Sequence, residues 1–149
     1  MKISLNLFFS MFQGKWTSKT SMYLLKSKKK IEYNYETNLN INNHFFHIHS
    51  QINTSYYYTT SIKYDRSLFI RTINITINNQ EKNIDFVLNY KILSKKLLKV
   101  YGKIPGSNLI YNEYLYVINK NLIICLGLVK ELNSNHHTAF LTQSHIRFK

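Results

Sequence analysis

KIEYNYETNLN, residues 30–40, alternates without a break. Ile31, Tyr33, Tyr35, Thr37 and Leu39 fall on one face of an extended chain, and Glu32, Asn34, Glu36 and Asn38 on the other. Successive strand side chains point to opposite faces, so this is a strand with one face buried and one wet. The same period of two predicts strands over about 15–25, 55–64, 68–77, 83–92, 96–101, 109–118, 121–130 and 137–148. Turn signals separate them: Asn78-Asn79, Ser94-Lys95, Pro105-Gly106-Ser107, Asn119-Lys120 and Asn133-Ser134-Asn135. Residues 41–53, NINNHFFHIHSQI, alternate poorly and read as a short helix or a long loop.

About nine or ten short strands with no helical pattern between them form an antiparallel meander. Such a sheet must bury one face and hide its edges, and closing into an up-and-down barrel does both. A barrel of that size holds one small ligand. A β-sandwich is the alternative. The 149 residues make one domain, 1–149, with no internal repeat or linker. The opening MKISLNLFFSMF is mildly apolar. It is a poor signal peptide, lacking a small-residue cleavage site, and reads as a short N-terminal helix closing one end of the domain.

Composition bounds the function. Twenty basic and seven acidic residues leave a formal charge of +13. An anionic partner would account for it, as would drift toward the residues of A/T-rich codons, since Asn, Ile, Lys and Tyr abound. Only three of the basic residues are Arg, which argues against nucleic acid. The single cysteine, Cys125, allows no internal disulfide, and no apolar run is long enough for a spanning helix. Twelve tyrosines suit a cavity wall that is part apolar and part hydrogen-bonding.

Several groups stand out. Gly14-Lys15-Trp16 is a G-x-W step like that of lipocalin-like barrels, whose Trp closes one end. Arg147 on the last strand is positioned to stack on that Trp. Tyr58, Tyr64 and Arg66 share parity on an uninterrupted strand, next to Asp65, and would set aromatic faces beside a cation. His44, His47 and His49 form H-x-x-H-x-H, but no nearby Cys or acid completes a site, so no metal is expected. No phosphate loop, dinucleotide fingerprint or nucleophile elbow is present. Lys26-Ser27-Lys28-Lys29-Lys30 reads as an exposed basic turn.

GKWTSKTSMYLL at 14–25 resembles the first strand of the S-type phycobiliprotein lyases (the CpcS/CpeS family), roughly G-x-W-x-S-Q-R-T-x-Y, with Gly14, Trp16, Ser18 and Tyr23 matching. YTTSIKYD at 58–65 resembles the family's W-E-G-T-M-D-W-D, with Tyr58 and Tyr64 at its tryptophans and Asp65 matching. EYLYVINKNLIICLGLVK at 113–130 resembles E-x-I-W-F-x-x-P-N-L-R-L-R-T-S-V-V-K through Glu113, Asn121, Leu122, Val129 and Lys130. Ser144, Ile146 and Arg147 match its closing S-E-I-R. The motifs are collinear over most of the chain.

The resemblance implies a lipocalin-like barrel with an N-terminal helix. It implies an enzyme that carries an open-chain phycobilin, bound as substrate with no separate cofactor, and attaches it to a cysteine of an apo-phycobiliprotein subunit. It also suggests a plastid-encoded chain working in the chloroplast stroma. The ligand-binding residues implied are Ser18, Lys19, Tyr58, Tyr64, Asp65, Arg66 and Arg147, with Arg147 and Arg66 or Lys19 on the bilin propionates. The family's cavity Arg, Arg, Ser and Glu fall on Ile123, Cys125, Gly127 and His145, and another Arg on Thr20. The wall at 123–127 is therefore expected to be apolar, and His145 to stand in as the catalytic acid. Lys19, Arg66, Arg71 and Arg147 remain as cations. These departures keep open a non-catalytic bilin or small-ligand binder, or a phycobilisome assembly factor. A homodimer is open too, and a basic nucleic-acid-binding barrel is the third alternative.

Overall fold

The computed structural model describes residues 4–42, 45–53, 56–64, 69–77 and 79–148, with the side chains of Asn6, 39–69 and 73–77 outside that description. One short helix, α1 (Leu5–Ser10), precedes ten strands: β1 (Gly14–Leu24), β2 (Lys29–Asn42), β3 (Phe45–Asn53), β4 (Tyr56–Tyr64), β5 (Phe69–Ile77), β6 (Gln80–Ser94), β7 (Leu97–Lys103), β8 (Leu109–Asn119), β9 (Leu122–Glu131) and β10 (His137–Arg147). Each strand pairs antiparallel with the next, and β1 pairs antiparallel with β10, so the sheet closes. The fold is a lipocalin-like up-and-down barrel.

Closure accounts for the one element misread from the sequence. Strand direction alternates along a meander, so the first and last strands can pair antiparallel only if the count is even. Residues 41–53 supply what is needed: β2 runs on to Asn42 and β3 pairs with both β2 and β4. Backbone hydrogen bonding on two edges outweighs poor side-chain alternation. Elsewhere the alternation holds. On β1, Trp16, Ser18 and Thr20 are buried while Lys15, Thr17 and Lys19 are exposed.

The turns sort by end. The start of β1, α1 and the β6–β7 and β8–β9 turns lie at one end, and the β1–β2, β7–β8 and β9–β10 turns at the other. Six residues are too few for a helix to persist alone. Tertiary packing holds α1, aided by Ser4, whose Oγ accepts the Leu7 N–H at 3.2 Å. Phe8, Phe9 and Phe12 are buried among one another and join Trp16, Leu88, Leu98, Val100, Leu115, Val117 and Ile123 in one core. The helix thus plugs the end at which β1 begins.

The plug is bolted by Trp16 and Arg147. The indole Nε1 donates to the Phe12 carbonyl at 2.8 Å. The Arg147 guanidinium lies 4.1 Å from the indole centroid. Its Nε, Nη1 and Nη2 donate to the carbonyls of Lys120, Gln13 and Met11 at 2.8, 2.7 and 2.9 Å. Gly14 has φ +133°, and a Cβ there would meet Arg147 Nη1 at 2.5 Å, so both backbone and space require glycine.

Arg147→Ala is expected to destabilise the fold by about 3 kcal/mol, through lost charge-assisted hydrogen bonds and the cation–π contact. Urea unfolding followed by fluorescence of Trp16, the single tryptophan, measures it.

Candidate functional site

Beyond the plugged end the interior wall turns polar. Glu113 on β8 is buried and points inward with Leu115 and Val117. Arg71 on β5 reaches it, Nη1 to Oε2 at 2.7 Å, with side-chain exposures of 15 % and 4 %. The Tyr111 hydroxyl donates to the same oxygen at 2.9 Å. Burial disfavours the charge on Arg71, but the Glu113 carboxylate outweighs it and holds the guanidinium above its ordinary range. Burial, then Glu113, pushes the Tyr111 phenol well up, so it stays a neutral donor.

Tyr111 fits because residue 127 is glycine. A Cβ at Gly127 would meet the Tyr111 hydroxyl at 2.7 Å and its ring at 3.0 and 3.2 Å. Glu113 lies opposite Gly127 in the β8–β9 register, and Tyr111 reaches across diagonally. The phenol stands where a larger residue 127 would project.

A second polar group lines β1, β2 and β10. Ser18 Oγ bonds Thr37 Oγ1 at 2.8 Å and His145 Nδ1 at 2.7 Å. Thr20 Oγ1 bonds the Tyr35 hydroxyl at 2.5 Å, and Gln143 Nε2 donates to Thr20 Oγ1 at 3.1 Å. Burial lowers the His145 imidazole to about 4 from 6.5, against a smaller upward pull from Glu113. Neutral imidazole holds no extra proton to give at neutral pH, so this environment does not suit His145 to the expected role of acid. Burial, then Glu113, raises the Cys125 thiol, which stays protonated between these groups and the core.

The sequence-predicted residues divide. Ser18 and His145 face inward together. Lys19 faces outward, exposed, 3.8 Å from Glu32 on the outer surface; strand parity separates it from Ser18. Arg147 is engaged at the barrel closure, not beside Glu113. Tyr58 and Tyr64 lie on β4, with side chains outside the described residues, and Asp65 and Arg66 lie wholly outside them. The shared strand face expected for Tyr58, Tyr64 and Arg66 therefore falls outside the described residues. The expected apolar wall is confirmed at Ile123 and Cys125, both buried. The nearby charge sits on Glu113, one strand over on β8, and on Arg71, which reaches it from β5. Tyr111, Tyr35, Thr37 and Gln143 were missed; inward parity beside Glu113 was the available signal for Tyr111. Among the described residues no cluster of His, Cys, Asp and Glu is fit for a metal. His44 and the side chains of His47 and His49 lie outside them. No helix among the described residues is long and apolar enough to cross a membrane.

No protein-family model and no curated protein matches the chain. Solved structures do. The S-type phycobiliprotein lyase CPES from Guillardia theta is similar at TM-score 0.63 and 12 % identity, over 99 % of this chain and 94 % of that one. A protein of unknown function of the DUF3598 family from Nostoc punctiforme is similar at 0.61 and 8 %, over 94 % of this chain and 49 % of its own. Rv2717c from M. tuberculosis is similar at 0.60 and 9 %, over 99 % and 100 %. At these identities the likeness is one of fold.

Two outcomes are expected. Gly127→Ala should cost about 1–3 kcal/mol in thermal or urea unfolding by overpacking Tyr111, and Tyr111→Phe in the same chain should recover part of it. The imidazole should also leave a mark on the pH dependence. The unfolded state takes up the His145 proton at a higher pH than the folded state does. Stability should therefore fall from about pH 6.5 to about 4, by roughly 3 kcal/mol at most, and His145→Asn should flatten that window.

Proposed function

We propose that this barrel binds an open-chain phycobilin and assists its attachment to a cysteine of a phycobiliprotein subunit. The observation that carries the reading is the buried Arg71–Glu113–Tyr111 cluster. It supplies a fixed cation and a fixed acceptor inside a barrel of the phycobiliprotein lyase fold. The collinear motifs support it further, Glu113 being one of their matching residues. The chemistry is suited to the ligand: a bilin offers pyrrole N–H groups to a carboxylate and two propionates to a guanidinium. Ser18, Thr20, Tyr35 and Gln143 add neutral hydrogen-bonding groups along the adjoining wall. Because α1 fills one end, the bilin enters past the β1–β2, β7–β8 and β9–β10 turns.

Attachment is an addition. The acceptor's thiol adds across the bilin's ethylidene double bond, sulfur going to one carbon and a proton to the other. No group leaves and no oxidant is needed. The protein's part is to hold one bilin conformation and steer the acceptor sulfur to one carbon. Cys125 is the wrong nucleophile, being buried and held as a thiol. The residue bias toward A/T-rich codons supports a plastid-encoded chain acting in the stroma. A second reading, a bilin carrier without transfer activity, is favoured by one observation: Ile123, Cys125, Gly127 and His145 stand where the family has Arg, Arg, Ser and Glu.

The test mixes the pure protein with phycocyanobilin or phycoerythrobilin, follows the absorption spectrum, then adds apo-subunit and looks for bilin retained under denaturing conditions. Uptake and transfer are expected, with Glu113→Gln binding at least about tenfold more weakly and Cys125→Ser behaving as wild type. Uptake without transfer selects the carrier. No spectral change on mixing overturns both readings.

A further inference from the structure

β9 reads LIICLGLVKE and is apolar on both faces. Its inward residues, Ile123 and Cys125, join the core. Its outward residues, Ile124 and Leu126, are 40 % and 39 % exposed. In a barrel with one wet face, outward positions should be polar. Those of β1 and β2 are: Lys15, Thr17 and Lys19 alternate outward on β1, and Glu32, Asn34 and Glu36 on β2. The apolar outer sector is thus a local feature, not a property of the whole composition.

Register extends it. Tyr116 lies opposite Ile124 and Tyr114 opposite Leu126, while Lys99 on β7 lies opposite Tyr114. Tyr116 is 45 % exposed, and Ile146, at the β10 edge, is 56 % exposed. The Lys99 ammonium sits over two of these rings, 5.2 Å from the Tyr101 centroid and 5.7 Å from Tyr114. Outward positions of β7 to β10 carry Lys99, Lys103 and Lys130 and no acid. The face is apolar, aromatic and uniformly positive.

We infer that the outer face of β7–β10 docks an acidic protein surface with an apolar centre. Charge decides the occupant. Two copies of a +13 chain would bring like-charged faces together. A pleated sheet also presents fixed, broad contact area, suited to a structured partner, and projects no wedge into lipid. This deepens the reading above, on which it rests: the partner is the subunit that receives the bilin.

The test titrates an apo-phycobiliprotein subunit into the full chain by calorimetry, without bilin. Wild type should bind it, more weakly as salt rises. Ile124→Thr with Leu126→Thr places β-branched residues that suit a strand and should raise Kd at least about tenfold. Lys99→Glu, which leaves the apolar face intact, should do the same. Both variants should take up bilin with the wild-type spectrum. Wild-type affinity in both variants overturns the proposal, as does a wild type that shows no saturable binding. It is also overturned by a wild-type dimer that the Thr pair makes monomeric, or by loss only of pelleting with phosphatidylglycerol vesicles. Wild-type failure to take up bilin overturns the reading of the interior instead, and the calorimetry still judges this face.

Discussion

Everything in this molecule depends on joining the last strand to the first. β10 closes on β1, and at that seam the Arg147 guanidinium covers the Trp16 indole while binding three carbonyls. Two of those carbonyls, Met11 and Gln13, belong to the segment leading from α1 into β1. One side chain therefore ties the chain's two ends and its plug together. Closure gives each of the ten described strands a paired neighbour on both sides, and the three buried Phe rings of the plug fill one end. The polar interior lies behind that plug.

Burial makes the charges of Glu113 and Arg71 costly to separate and strong in effect. Glu113 is held by Arg71 and Tyr111 on one oxygen, an arrangement that fixes the carboxylate's direction. The same burial keeps His145 and Cys125 uncharged. Among the described residues the inward charge is thus the Arg71–Glu113 pair, set in a wall of neutral donors and acceptors.

β8 and β9 serve two surfaces at once. Inward, Glu113, Tyr111 and Gly127 shape the site; outward, Tyr116, Ile124 and Leu126 form an apolar face. A strand that is apolar on both sides is read as buried on both sides, and only the inner side is covered within this chain.

The sequence by itself determined the period of two and nine of the ten strands, and favoured a closed barrel over a β-sandwich. Parity alone also put Ile123, Cys125 and Gly127 on one wall, while Ser18 entered through the family likeness. Parity already excluded Lys19 from the face of Ser18, an implication the family likeness obscured. What it could not determine was anything resting on partners far apart in the chain. β3 exists because its backbone pairs on both edges and closure needs an even count. Arg71 meets Glu113 across 42 residues, and Tyr111 fills the space beside Gly127 through register. Arg147 was legible as a partner for Trp16, but its commitment to carbonyls of the α1–β1 segment and the β8–β9 turn was not. Alternation is set by local backbone geometry. Register, closure and cross-barrel contacts are set by the global pairing of strands, and only the tertiary structure decides those.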